Sequence, residues 1–525
     1  MVDSWFVKRK FLFLNLKVLL CGAAATGLAV QILKPGIVDD GFIFFRYAEN
    51  LAHGLGPVFN PGEHVEGFSS PLWTFVLAFC SVVIPDLELV SRCLGYVCAL
   101  GLVGTVAAGL RTRLRDEIRP DLYSVPVLLV CLPPVVFYGF SGMDHPLFAL
   151  MVTAAMVSSL ADGELGAPGV RTFVLVVLAT LARPEGILAG LCIYTYLRLR
   201  VTESTHPGST QRLLKSLVLY AMFLSVVLGA RYLYFGQLLP NTYNAKVASV
   251  TVQRLMQGGS YLFRAAVAFS PVLFLCCIAG AVMRVRRIVP PPGVSLLFGW
   301  LLLYGSYVVY VGGDHFPMFR FLLPVIPALI LLLGLLWFQA FGGLSGPVFQ
   351  ASRIALPVAL LVAAALCQSM EGERARREPR LAEKWADRGR WLAGHTPPDA
   401  VLATTSVGAI GFFSGRTVVD MLGLTDTTVG KQGRIYPDAA HGHARFHTDY
   451  IFDRAPDLVV YYRTGSPERL GRMLTPPELI NKTYAYALYD FASDPRCAER
   501  YEHVVFPLED GSVIEMQKKK GFSFR

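Results

Sequence analysis

Long apolar stretches, many close to the length that crosses a bilayer, recur through the first 370 residues of this chain. A bilayer core of about 30 Å needs about 20 apolar residues of helix per crossing, because hydrocarbon offers no water to satisfy backbone N–H and C=O groups. The stretches Phe11 to Leu33, Leu89 to Leu110, Leu122 to Tyr138, Leu147 to Leu160, Phe173 to Ala182, Ile187 to Leu197, Leu213 to Tyr234, Tyr261 to Met283, Val294 to Val311, Phe321 to Ala340 and Ile354 to Cys367 meet or approach that length. They predict about 11 crossings. Composition agrees, with 54% hydrophobic and 16% charged residues and a mean hydropathy of +0.48, against about 25% charged in soluble domains. The expected fold class is mainly α, a polytopic transmembrane helical bundle.

The net charge of +10 excludes a nucleic-acid partner by its placement. Lys8 to Lys10, Arg111 to Arg119, Arg198 with Arg200, and Arg284 to Arg287 all flank apolar stretches, as cytoplasmic loops do. Phe11 to Leu33 reads as an uncleaved first helix, since no small-residue cleavage site follows it. The stretch Pro71 to Ile84 is apolar but short, which suits a re-entrant or juxtamembrane segment. With that segment not crossing and the N-terminus cytoplasmic, every strongly basic loop falls on the cytoplasmic side. The ten cysteines include no CxxC spacing, and those in apolar stretches read as inert buried thiols.

The same count places five polar loops together on the opposite face of a plasma or inner membrane. They are the run from Asp39 to Trp73, SGMDHP (Ser141 to Pro146), RPEG (Arg183 to Gly186), GQLLPNTYNAK (Gly236 to Lys246) and GGDHFPMFRF (Gly312 to Phe321). Acids at a membrane edge are costly unless solvated, paired or used, so Asp39 and Asp40 are the first candidates for chemistry. Residues 1–370 are expected to form the membrane domain and 371–525 a soluble domain on the outer face. Within the latter, Ala400 to Leu424 reads as strand, short helix and strand, and Pro456 to Tyr462 as a further strand, the pattern of a small α/β domain.

The run DDGFIFFRYAENLAHGLGPVFNPGEHVEGFSSPLW, with ARPEG, LLPNTYNAK, GGDHFPMFRFLLPVIPAL and GAIGFFSGRTVVDMLGLTD, resembles the membrane-embedded GT-C glycosyltransferases that use polyprenyl-phosphate sugars. More narrowly, it is similar to the terminal β-(1→2)-arabinofuranosyltransferases of cell-wall arabinan. The resemblance implies an essential acid in the first extracytoplasmic loop, a polyprenyl-phosphate sugar donor, a glycan acceptor and a membrane-lipid environment. It gives Asp40 the role of general base in an inverting transfer, with Asp39 as its helper; the reverse assignment stays open.

A leaving phosphate needs a cation, and Lys246, Arg320, Arg183 and Arg46 are the candidates. Arg46 could instead pair with Glu49, and Arg183 with Glu185. Asp314, His315, Asp144, His145, Glu66, Asn241, Tyr243 and Asn244 are the candidate sugar or acceptor contacts, with Glu63 and His64 as weaker ones. The bland alternatives are a helix N-cap for Asp144, turn residues for the amides and solvated loop positions for the acids. No cofactor motif and no metal-ligand set is expected, although Asp314 with His315 could hold a divalent cation. His441, His443 and His447 read as a surface cluster, and Asp420, Asp426 and Arg416 as structural or acceptor-guiding. A lipid-linked sugar transporter or flippase is the alternative class, but such proteins carry internal repeats, and this chain shows none. A non-catalytic envelope-assembly relative is the other alternative.

Overall fold

The computed structural model describes residues 2–114, 124–163, 167–201, 207–246, 252–291, 293–342, 346–435, 445–461 and 485–525. Side chains are described from residue 17 on, except at 113–114, 246, 346–349 and 485–486. The chain forms two compact units, each assembled from three separate segments: 1–36, 91–225 and 251–376 make the first, and 37–90, 226–250 and 377–525 the second.

The first unit is helical. Among the described residues of the whole chain, five helices are long and apolar enough to cross a membrane: Leu87–Thr112, His145–Asp162, Ser209–Phe235, Gly293–Val311 and Gln350–His395. Val252–Ala268 and Ser270–Val285 make a sixth span if counted as one, but they meet at a 75° bend. Lys17–Leu33, Pro71–Ser81, Val170–Ala182 and Ile326–Phe341 are shorter apolar helices. This is a multi-pass membrane protein.

Two stretches expected to be continuous are broken, and proline is the reason in both. Leu122 to Tyr138 contains the short helices Ser124–Leu129 and Pro133–Gly139, the second starting on a Pro-Pro pair. Near Phe269 the next helix restarts with Pro271 in its first turn, where a missing N–H costs nothing. In the other direction, Ile354 to Cys367 and the charged run after it lie on one 50-residue helix, Gly346–His395. Pro71–Ser81 has 11 residues, about 16 Å at 1.5 Å per residue, too short for a crossing. Ser70 caps it by accepting a hydrogen bond from the Trp73 amide at 3.3 Å.

The second unit carries a five-stranded sheet. In chain order the strands are β1 (Val401–Thr404), β2 (Thr417–Asp420), β3 (Arg434–Ile435), β4 (Arg445–Phe446), β5 (Leu458–Val460), β6 (Tyr501–Pro507) and β7 (Val513–Lys519). The main sheet runs β2-β1-β5-β7-β6, and β3 pairs with β4 separately. β2 and β5 flank β1 in parallel, while β7 is antiparallel to both β5 and β6. The helix Val407–Ser414 connects β1 to β2. Ala403, Val419, Val459, Phe452, Phe491 and Tyr501 close the core on one side of the sheet. The first polar loop folds within this same unit, as the helix Asp39–Ala52 and the segment that follows it.

Candidate functional site

Asp39 and Asp40 occupy the first turn of helix Asp39–Ala52, where the positive end of the helix dipole favours acids. Both are half-buried. The Asp39 carboxylate accepts the Ala409 amide at 2.7 Å and the Gly408 amide at 3.3 Å, so it also caps the N-terminus of helix Val407–Ser414. Burial pushes its carboxyl up to about 7, the amides oppose that, and neighbouring Asp40 adds to it.

Arg46 lies two turns along from Asp39 and is 5% exposed. Its Nε donates to the Phe59 carbonyl at 2.7 Å, one Nη to the Gly411 carbonyl, and the other to the Arg416 carbonyl at 2.6 Å. It also lies over the Phe59 ring. The guanidinium therefore ties three backbone segments together, and the charge of Glu49 acts on it as well.

Other expected contacts in this unit are likewise engaged in its scaffold. Asn241 is buried and directs its Nδ2 at the carbonyls of Gly423, Leu424 and Asp426, at 2.8, 3.0 and 3.1 Å. Its own amide donates to the Glu66 carbonyl at 2.9 Å. Glu66 is buried with its carboxylate 2.6 Å from Arg231 Nε. Glu63 pairs with Arg454 at 2.7 Å, and His64 packs edge-on against Tyr234. Tyr243 is exposed, and Asn244 donates to Gln237 at 2.8 Å. Lys246 ends the helix Asn241–Lys246, and its side chain lies outside the described residues.

Asp420 accepts the Leu422 and Thr425 amides, each at 2.8 Å. Asp426 caps helix Thr427–Gln432, and Arg416 bonds to the carbonyls of Ala393 and Thr396. His447 caps helix Thr448–Arg454 through Nδ1, while His441 and His443 lie outside the described residues.

The first unit holds a second, fully buried polar group. Helices Val170–Ala182 and Gly186–Val201 are joined by the Arg183-Pro184-Glu185 turn. They close on each other at Gly186, where a Cβ would overlap the Ala179 and Thr180 backbone. The tight turn throws Arg183 and Glu185 inward. Arg183 gives Nη1 to Asp144 at 3.0 Å, and Nε and Nη2 to Glu185 at 3.2 and 3.0 Å. Tyr307 donates to Glu185 at 3.0 Å, and His145 Nδ1 lies 2.9 Å from the other Asp144 oxygen.

In the same unit Arg320 forks onto Asp314 at 2.5 and 2.8 Å and lies 4.0 Å from the Phe316 ring centre. Positive φ at Gly312, Gly313, Met318 and Phe319 shapes that loop. Asp314 also accepts the His315 amide at 2.9 Å.

The electrostatics follow from these pairings. Burial would raise the Asp144 carboxyl, but Arg183 and His145 draw it well below the usual range. Glu185 is likewise lowered, with burial opposed by Arg183 and Tyr307. Three carboxylates, those of Asp144, Glu185 and Asp314, thus pair with the two guanidiniums of Arg183 and Arg320. Sequence reading missed the place of Tyr307 and Arg231, which stand in apolar helices with no local signal.

Residues 373–506 match a family model described as a domain of unknown function (DUF8728). The chain is 28% identical over 343 residues to a terminal beta-(1->2)-arabinofuranosyltransferase of Mycobacterium tuberculosis, covering 56% of this chain and 53% of that protein. The chain thus spans about half the length of this curated relative. Among solved structures, ArnT of Cupriavidus metallidurans bound to undecaprenyl phosphate superposes with a TM-score of 0.59 at 14% identity, covering 97% of this chain and 98% of ArnT. AglB of Archaeoglobus fulgidus, an archaeal oligosaccharyltransferase in complex with an inhibitory peptide and a dolichol-phosphate, gives 0.52 at 12% identity, covering 95% and 74%.

Proposed function

We propose that this chain, which has the GT-C glycosyltransferase fold and is similar to the terminal β-(1→2)-arabinofuranosyltransferases, moves a sugar from a polyprenyl-phosphate donor to a glycan acceptor. The sugar we assign is arabinofuranose, and the face is extracytoplasmic. The observation that carries the reading is the acid pair at the start of helix Asp39–Ala52, with one carboxylate committed to two amides and the other beside it. Asp40 takes the proton of the acceptor hydroxyl as that oxygen bonds to the anomeric carbon. The bond from that carbon to the phosphate oxygen breaks, the electron pair leaves with the polyprenyl phosphate, and configuration inverts. Lys246 is the cation we assign to the phosphate.

Asp39 as the base has one argument in its favour, since burial that pushes its carboxyl up to about 7 matches it to proton transfer near neutrality. Separate Asp40→Asn and Asp39→Asn variants, reconstituted with a panel of polyprenyl-phosphate sugars, decide between them. The base variant should lose about 10²–10⁴ in turnover, and parental rates in both variants would refute the site. Should Asp39 be the base, parental turnover rises as pH passes through about 7, and its Asn variant removes that limb.

A further inference from the structure

The two ends of helix Val407–Ser414 are gripped by one face of helix Asp39–Ala52. Asp39 takes the amides of Gly408 and Ala409 at the N-terminal end, and Arg46 takes the carbonyl of Gly411 and, just beyond the helix, that of Arg416. Asp39 and Arg46 are seven residues apart, two turns of helix, so they lie on the same side. Between them, Phe42 and Phe45 pack against Phe412 and Phe413 with ring centres 5.2 to 5.9 Å apart. The helix dipole reinforces both attachments, an acid at the amino end and a cation at the carboxyl end. Two-point attachment along one face fixes the rotation of helix Asp39–Ala52 about its own axis. Asp40 follows Asp39 by one residue, about 100° round that axis, so the same rotation sets where its carboxylate points.

We propose that helix Val407–Ser414 is a positioning element for the acid pair, holding Asp39 so that Asp40 is presented at a fixed angle; this rests on the glycosyltransferase reading above. Gly408 is the residue that permits it. A Cβ there would overlap the Asp39 carbonyl oxygen and lie 2.8 Å from the Asp39 carboxyl carbon. No φ constraint asks for glycine at this position, and helix propensity favours alanine. Close approach to Asp39 is what remains to select it.

The test is Gly408→Ala in the full chain, purified in detergent, with Val505→Ala at a 40% exposed strand position of the same unit as control. Amide hydrogen exchange is read over residues 39–52 and over β1 and β5, and turnover and donor KM are measured with a polyprenyl-phosphate sugar. The expected result is exchange about tenfold faster over 39–52 alone, with turnover down about tenfold or more. Donor KM should stay within about twofold of the parent, and the control should match the parent throughout. Parental exchange over 39–52 overturns the proposal, as does parental turnover. A uniform rise in exchange across the unit also overturns it, because the helix would then contribute stability alone. If the parent transfers no sugar from any donor, the glycosyltransferase reading fails, while the exchange pattern still decides whether this helix holds the acid pair.

Discussion

Arg183→Ala would leave two carboxylates stranded in the interior of the helical unit. Asp144 is 0% and Glu185 8% exposed, and one guanidinium gives them three bonds of 3.0 to 3.2 Å. Removing one partner of a buried ion pair costs about 3–5 kcal/mol. Asp144 keeps His145 and Glu185 keeps Tyr307, so we expect about 4 kcal/mol, a large part of the ~5–15 kcal/mol that folded proteins have. Arg183→Lys should recover about half, since an ammonium reaches one acid but cannot fork across both.

The pH dependence separates this account from simple loss of packing. In the parent both acids are held low, so their contribution is present above the unfolded value near 4 and lost only as pH falls through the lower folded value. Without Arg183 burial dominates and the folded values rise. The variant then loses stability as pH climbs from about 4 towards neutrality, and moving from about pH 7.5 to about pH 5.5 should restore part of it. Unfolding of the detergent-purified protein at the two pH values is the assay. A variant within about 0.5 kcal/mol of the parent, or one sharing the parent's pH dependence, would refute the reasoning.

Glu66 predicts the opposite pH trend for the parent's second unit. Burial pushes it up to about 7 against the pull of Arg231, so the folded state holds a proton the unfolded state lacks between about pH 4.5 and about pH 7. Its contribution falls as pH rises across that window, and Glu66→Gln should flatten that part of the melting profile. Asn241→Ala removes the donor to three loop carbonyls and should cost about 1–3 kcal/mol, read as a lower melting temperature; no measurable loss would mean the amide is dispensable to the Gly423–Asp426 loop.

The helical, multi-pass character could be read from the chain because lipid imposes a length on every apolar segment, but the expected count of about 11 crossings exceeds the five helices, or six with the bent pair, that are long and apolar enough to cross among the described residues. The breaks could not, although their prolines were in view: Pro133 and Pro271 begin new helices, and proline within a span is compatible with either a kink or a restart. The Arg183–Glu185 pairing was legible as a local alternative, since the two residues share one turn. In the sequence Arg46 fits either a phosphate contact or an ion pair with Glu49, and Asn241 either a sugar contact or a turn, because a polar side chain advertises hydrogen-bonding capacity without naming its partner. Their partners are backbone carbonyls, 365 and 182 residues away for Gly411 and Gly423, and a carbonyl leaves no mark in a sequence.

The distance in sequence between the acid pair and its holder has a consequence for how the protein comes to be made. Asp39 and Ala409 are separated by 370 residues, and at about 5–20 residues per second of synthesis the interval between their appearances is roughly 20–70 s. Throughout it, Asp39 lacks its amides, Arg46 lacks the Gly411 and Arg416 carbonyls, and Asn60 lacks the β2 backbone it bonds at Val418. The acid pair thus comes into its final arrangement only after the strand β1 and the helix that follows it have been synthesised, which makes its assembly a late event in biogenesis.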